Sequence, residues 1–164
     1  MSDTISEFEA RMDDRVIPEL YNPSNEPLPI SQAELSSLSA EIERHEHIRF
    51  SFLEVVFIAS DEMIRMNRDH KQHNHLTDIL TFPYHDEGAA ELEASLFCSP
   101  FRIREQAIEW SVPESEEFCR VFIHGLLHLC GYDDQTEDDQ KRMKMREEFY
   151  LSIWRASSFD ASET

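Results

Sequence analysis

The sequence predicts an α+β fold, a small mixed β-sheet of about four strands packed with five or six helices and carrying a zincin-like metal helix. The length of 164 residues suits one core. Short apolar runs typical of buried strands alternate with segments of helical apolar spacing, and the order of the strand candidates favours a mixed sheet. We expect a single domain over residues 16–155, a partly frayed N-terminus over 1–15 and a flexible C-terminal tail over 156–164.

The N-terminal half is predicted to contain a loop, a helix, a strand and a second helix. Residues 18–29 hold four of the seven prolines and are typical of a loop. Ser31 and Glu34 form a capping-box pattern, which predicts a helix over residues 32–46. Residues 51–59 have the apolar character of a buried strand, and 61–71 have the spacing of an amphipathic helix.

The C-terminal half is predicted to contain two strands followed by three helices. Residues 77–84 and 92–98 are strand candidates separated by a turn-like segment. Ser99 is a favourable N-cap for a helix that runs through Trp110, and Pro113 begins another that ends before Gly131. Thr136 caps the last helix, whose first turn is acidic and whose middle is basic, as the helix dipole favours.

Composition and charge exclude several classes of protein. The formal net charge of −19 is the opposite of the basic character of an independent nucleic-acid binder, and no DNA partner is expected. No apolar run approaches the roughly 20 residues of a membrane helix, so no membrane partner is expected either. Cys98, Cys119 and Cys130 form no CxxC pair and lie in apolar stretches, which indicates reduced thiols and a cytoplasmic location.

The segment from His124 to Asp134 has the spacing of a metal site. His124 and His128 are four residues apart on a predicted helix, so both imidazoles lie on one face and can reach one divalent ion. Gly131 can end the helix in a left-handed conformation and turn the chain back, which brings Asp133 or Asp134 toward the same ion. Three protein ligands and an open position for water are the arrangement of hydrolytic zinc sites.

Two other interpretations of this segment remain open. The histidines would be structural if they only capped or packed the helix end. The spacing of His128, Gly131 and Asp134 also resembles that of zinc metallopeptidases of the HExxHxxGxxD type. Those enzymes place a glutamate general base after the first histidine, where this sequence has Gly125, so peptide hydrolysis would lack its usual base. A glycine there is expected where a side chain would obstruct a neighbouring strand or substrate.

The segment HGLLHLCGYDD from His124 to Asp134 resembles the HGxLHLxGxDH signature of the YbeY family of metal-dependent endoribonucleases. A second block agrees, since Asn67 followed by TDILTF at residues 77–82 resembles the N…TDVLSF segment of that family. The resemblance covers about residues 48–151. It implies a small α+β domain, one Zn²⁺ per chain, and cleavage of single-stranded rRNA on the small ribosomal subunit. The implied roles are maturation of the 3′ end of 16S rRNA and ribosome quality control, with a ribosomal protein as a further partner.

The residue roles that the resemblance implies are carried over one by one. The zinc ligands are His124, His128 and Asp134, the last of which stands where the family has a third histidine. The catalytic residues are His124 and Lys71, and Lys71 replaces an arginine that would stabilise charge on the phosphate. The family's Gly-Asp before the middle strand is replaced by Ala-Ser at residues 94–95, so a partner contact through that Asp is not carried over. These departures also keep open a non-catalytic ribosome-assembly factor with a structural metal.

Overall fold

The computed structural model of the protein describes residues 16–71 and 75–157. This part of the chain contains four strands and five helices, with the following bounds: β1 (Glu19–Tyr21), α1 (Gln32–Glu46), β2 (Arg49–Phe57), α2 (Ser60–Lys71), β3 (Ile79–Pro83), β4 (Glu91–Cys98), α3 (Pro100–Glu109), α4 (Glu114–Leu129) and α5 (Glu137–Ala156). The predicted α+β class is therefore confirmed.

The four strands form one mixed sheet in the order β1, β2, β4, β3. The pairs β1 with β2 and β2 with β4 are parallel, and β3 is antiparallel to β4. The antiparallel pair is joined by the short connection that the turn-like segment predicts, whereas the parallel pair β2 and β4 needs a crossover, part of which is α2.

Alternate residues of the strands pack into two separate clusters. Val55 and Leu96 belong to the large core cluster, whereas their neighbours Val56 and Phe97 pack with Met63 of α2 in a smaller one. This follows from the period of two in a strand, where successive side chains point to opposite faces. The C-terminal ends of β2 and β4 are therefore apolar on both faces, which explains the short apolar runs at residues 55–57 and 96–98 of the sequence.

Helix α4 lies at the centre of the molecule, in contact with β3 and β4 and with the helices α1, α3 and α5. It is buried on most sides, and its buried side chains include Phe118, Cys119, Val121, Phe122, Ile123, Leu126 and Leu127. A helix with so many packed neighbours is rigid, so groups on its remaining exposed line are held in place.

The predicted helix boundaries agree closely with the structure because their capping signals are local. The capping box of Ser31 and Glu34 is formed, and α1 begins and ends where the sequence predicts. Thr136 caps α5 by accepting a hydrogen bond from the Asp139 amide. Helix α5 continues to Ala156, one residue past the predicted end of the domain at residue 155.

The prediction that residues 18–29 form a loop is wrong at its start. Glu19, Leu20 and Tyr21 form β1, which pairs with residues 54–56 of β2. Three residues are too short to show a periodic pattern, and their strand conformation depends on pairing with the free edge of β2.

The predicted frayed N-terminus over residues 1–15 lies outside the described residues, as do residues 158–164 of the predicted tail. Within the described part, no helix is both long and apolar enough to cross a membrane. The three cysteines are free, as predicted from their spacing. Burial raises the pKa of the Cys130 thiol to about 12 and raises the pKa values of Cys98 and Cys119 further, so all three stay protonated at neutral pH.

Candidate metal centre

The candidate metal ligands lie on the one line of α4 that is not fully buried. Arg120, His124 and His128 are spaced four residues apart, so they share one helical face, and each is partly exposed. The remaining faces of the helix are apolar and packed against the sheet and the other helices. The polar line is therefore the face on which α4 can bind a ligand.

Gly131 brings Asp134 back to this line. Its φ of 103° is in the left-handed region that favours glycine, and its amide donates to the His128 carbonyl at 3.0 Å. The Tyr132 amide donates to the Leu127 carbonyl at 3.0 Å, which closes the turn. The sequence left Asp133 and Asp134 as alternatives, and the structure places the Asp134 carboxylate beside both histidines.

The three donor atoms form a compact triangle. The two histidine Nε2 atoms are 3.0 Å apart, and Asp134 Oδ2 lies 3.3 Å from the Nε2 of His128 and 3.5 Å from that of His124. A tetrahedral ion with donors at about 2.0 to 2.1 Å keeps each pair of donors about 3.3 Å apart. The three edges therefore match one face of a zinc tetrahedron, and these residues are the group that could hold a metal ion in the described part of the chain.

The hydrogen-bond partners of the two imidazoles favour the tautomers that carry the proton on Nδ1 and leave Nε2 able to bind a cation. His128 Nδ1 donates to the Tyr132 carbonyl at 3.0 Å, and His124 Nδ1 donates to Oε2 of Glu147 at 2.6 Å. Because a carbonyl and a carboxylate only accept, a ring with a single proton carries it on Nδ1. Two lone pairs and a carboxylate oxygen then face one another, an arrangement that a cation stabilises.

Glu147 is a functional residue that sequence reasoning missed. Its side chain is 7% exposed, and it contacts His124 from α5 while also accepting a hydrogen bond from Arg120 at 3.2 Å. Arg120 in turn makes a bidentate pair with the buried Glu117, at 2.8 and 2.6 Å. Burial alone would lower the pKa of the Arg120 guanidinium, but these carboxylates raise it, so the group stays charged. This network orients His124 from behind, as carboxylates do for metal-bound histidines.

Gly125 stands where metallopeptidases have their glutamate base, and it packs closely against the sheet. A Cβ at this position would lie 2.6 Å from Cδ1 of Ile79 and 3.5 Å from Cδ1 of Leu96. Both neighbours are buried core residues of the sheet. A glutamate at position 125 would therefore enter the apolar contact between α4 and the sheet and displace the end of the Ile79 side chain, so the neighbouring strand is the element that a side chain here would obstruct.

The second block of the sequence has a structural role in the described residues. Asn67 is buried, and its Nδ2 donates to the His75 carbonyl at 2.9 Å, which holds the chain that leads into β3. Lys71 is the last residue of α2, and its side chain lies outside the described part of the chain. Its catalytic role therefore stays a prediction.

A cleft of about 620 Å³ opens beside His128. Leu129, Ile48 and Leu92 form apolar walls, and His85 and Glu87 of the connection between β3 and β4 line its other side. A cleft of this size can accommodate a nucleotide or a short segment of an extended chain.

The fold and the donor set define an α+β protein whose central helix carries a site able to hold a metal ion. A family model described as Endoribonuclease YbeY matches residues 24–155. Curated relatives described as Endoribonuclease YbeY include one from Cytophaga hutchinsonii, 32% identical over 122 residues, which are 74% of this chain and 85% of the relative. Another, from Chlorobium limicola, is 41% identical over 99 residues, 60% of this chain and 67% of the relative. The chain belongs to the YbeY family, as its two sequence blocks predict.

A solved structure has a similar fold. The solution structure of TM1509 from Thermotoga maritima covers 84% of this chain and 89% of its own length, with a TM-score of 0.56 and 22% identity. At that identity the likeness concerns the fold alone.

Proposed function

We propose that this chain is a zinc-dependent endoribonuclease that cuts single-stranded rRNA. Membership of the YbeY family supports the activity, and the triangle of two Nε2 atoms and Oδ2 of Asp134 supports the metal. The proposed biological roles are maturation of the 3′ end of 16S rRNA on the small ribosomal subunit and ribosome quality control, with a ribosomal protein as a further partner. The free thiols support a cytoplasmic site of action.

His124, His128 and Asp134 would hold the zinc ion. When bound, zinc supplies a Lewis acid that lowers the pKa of a coordinated water to about 7 and polarises a phosphodiester oxygen. Glu147 keeps the Nδ1 proton of His124 in place, so that Nε2 stays a donor to the ion. The Tyr132 carbonyl does the same for His128.

Lys71 is proposed to neutralise charge that develops on the scissile phosphate. It stands at the end of α2, directly before the segment that leads to β3. Glu147 is not the general base in this scheme, because His124 and Arg120 occupy its two oxygens.

The proposal is tested with single-stranded rRNA fragments and purified protein loaded with zinc. We expect cleavage by the wild type, loss of cleavage with a chelator, and loss with His124→Ala. The control is His47→Asn, which removes an exposed histidine outside the site. Asparagine is suitable because it readily adopts the left-handed conformation of position 47, where φ is 58°. Cleavage that persists both in chelator and in His124→Ala would refute the proposal. Normal rRNA processing with His124→Ala as the sole copy would instead favour the non-catalytic assembly factor.

A further inference from the structure

Unpaired positive charge among the described residues of this acidic protein is concentrated on one helix. Among the lysine and arginine side chains that the structure describes, three make no hydrogen bond or ion pair, namely Lys141, Arg142 and Lys144 of α5. All three are exposed and lie in the first half of α5, which follows the turn that carries Asp134. A chain with a net charge of −19 that pairs its other described cations thus leaves three free on α5, and of these Lys144 lines a pocket with His124 and Asp134.

Lys144 lies between the metal centre and an exposed aromatic side chain. One pocket of about 200 Å³ is lined by Lys144 together with His124 and Asp134. An adjoining pocket of about 320 Å³ is lined by Lys144 and Trp110, and the two pockets share Arg120, Lys144 and Glu147. The surface is therefore continuous from the candidate metal ligands, across Lys144, to Trp110.

Trp110 is held as a platform at the end of this surface. The indole is 55% exposed, and the Arg120 guanidinium lies 4.7 Å from its ring centroid. Arg120 is itself fixed by the buried carboxylates of Glu117 and Glu147, so the aromatic plane is supported from below by a rigid group.

Two carboxylates along this surface are paired with arginines, each of which is shared with a second carboxylate: Arg120 also pairs with Glu117, and Arg155 also pairs with Glu116. Glu147 pairs with Arg120, and Glu148 pairs with Arg155 at 2.5 Å. Asp134 faces the metal centre, where a divalent cation would offset its charge. The ammonium of Lys144 forms no ion pair with these carboxylates, so it can attract an external anion. By contrast, the 620 Å³ cleft on the other side of His128 is lined by Glu87 and by no lysine or arginine of the described residues.

We infer that the surface formed by Lys144 and Trp110 binds the single-stranded RNA beside the scissile phosphate, with one phosphate on Lys144 and one base stacked on Trp110. A free cation next to an exposed aromatic ring is the combination by which proteins bind single-stranded nucleic acid without reading its sequence. A base paired within a duplex cannot stack on a side chain in this way, so the surface favours unpaired RNA. The inference rests on the proposed function, because it takes RNA as the substrate.

The inference is tested by measuring the affinity of the zinc-loaded protein for a fluorescent 2′-O-methyl single-stranded RNA, which binds without being cleaved. We expect Lys144→Gln to weaken binding several-fold and to reduce the salt slope of log K by about 0.7, the loss of one phosphate contact. We expect Trp110→Leu to weaken binding about tenfold, while Trp110→Phe, which keeps an aromatic face, stays close to the wild type.

The matched control is Arg65→Gln, which removes an exposed positive charge from α2 and should leave affinity within about twofold, as expected for an exposed charge that contacts no phosphate. Circular dichroism and thermal melting establish that each variant is folded. Lys144→Gln changes a side chain with no polar partner, so it tests the inference even if Trp110→Leu is unstable.

The outcomes separate this inference from the proposed function. The inference would be overturned if Lys144→Gln kept the wild-type affinity and salt slope and a folded Trp110→Leu variant also kept the wild-type affinity. Chelator-sensitive cleavage by the same proteins would still support the proposed function. Wild-type protein that binds RNA through these residues and cleaves none would support the surface and refute the endoribonuclease.

Discussion

Two polar clusters join α5 to the rest of the molecule, and they differ in whether their hydrogen bonds are satisfied. In the first, Glu46 accepts hydrogen bonds from the hydroxyls of Tyr132 and Tyr150, at 2.9 and 2.5 Å, and from Arg146 at 2.7 Å. In the second, the candidate metal centre, two Nε2 atoms and a carboxylate oxygen converge within 3.5 Å of one another.

This difference separates a structural cluster from a binding site. Every acceptor of the Glu46 cluster meets a donor, so the cluster needs no ligand and stabilises the fold. In the candidate metal centre, Glu147 and the Tyr132 carbonyl orient the two imidazoles through their Nδ1 atoms. The Nε2 atoms and the Asp134 carboxylate oxygen face one another and can bind a cation. These donor atoms become satisfied when a cation binds.

The largest effect is expected from a ligand substitution in the metal centre. His128→Ala removes one of three donors, so we expect zinc affinity to fall by more than about 100-fold. This loss exceeds the one expected when a residue that only orients a ligand is removed. Zinc content after dialysis measures this, and Glu46→Gln serves as the control that keeps its zinc. Equal stoichiometric zinc in wild type and His128→Ala would remove this histidine from the ligand set.

The next largest effect is expected from Glu147, which orients the candidate ligand His124. Glu147→Gln keeps the size of the side chain but removes the charge that orients His124 and pairs with Arg120, so we expect zinc affinity to fall by about 10- to 100-fold. Competition with a chromogenic chelator measures the affinity. Since Glu148 is exposed and directed at Arg155, Glu148→Gln is the matched control. An unchanged affinity in Glu147→Gln would mean that His124 is oriented by packing alone.

The Glu46 cluster should affect stability and leave zinc binding intact. Glu46→Gln removes a charged acceptor of three hydrogen bonds, and we expect the free energy of unfolding to fall by about 2 kcal/mol. Urea unfolding of the zinc-free protein measures this directly. A variant that loses zinc while its stability is unchanged would contradict the division between the two clusters.

Lowering the pH should remove the contribution of Glu46 to the free energy of unfolding. Burial by itself would raise the pKa of the Glu46 carboxyl, but hydrogen bonds from Tyr150, Arg146 and Tyr132 outweigh it, and the pKa lies below its ordinary value of 4.5. A carboxyl with a lowered pKa in the folded state stabilises the fold above its unfolded pKa, and this stabilisation is lost as the pH falls through the folded value. We therefore expect the stability difference between wild type and Glu46→Gln to be constant from pH 7 to about 5 and to shrink below about 4.5. A difference that does not shrink between pH 5 and pH 3 would contradict this assignment.

The smallest effect comes from the residue that belongs to both clusters. Tyr132 donates its hydroxyl to Glu46, while its backbone carbonyl holds His128. Tyr132→Phe removes the hydroxyl alone, so we expect the free energy of unfolding to fall by about 1 kcal/mol and zinc affinity to stay within about twofold. A large loss of zinc would show that the hydroxyl also positions the turn.

The sequence by itself determined the features that depend on neighbouring residues. The capping box at Ser31, the cap at Thr136, the pair of histidines one turn apart and the left-handed turn at Gly131 all act over a few residues, and each is present in the structure. The three candidate metal ligands could be predicted together from the sequence because all of them lie within eleven consecutive residues of one helix and its turn.

The tertiary structure decided what depends on residues far apart in the chain. Glu147 is 23 positions from His124, and Tyr132 is 86 positions from Glu46, so no periodicity connects either pair. The conformation of β1 needed the edge of β2, and the space that Gly125 leaves is defined by Ile79 of β3. Capping and turn preferences are properties of local backbone geometry, whereas these contacts form only when separate elements pack together.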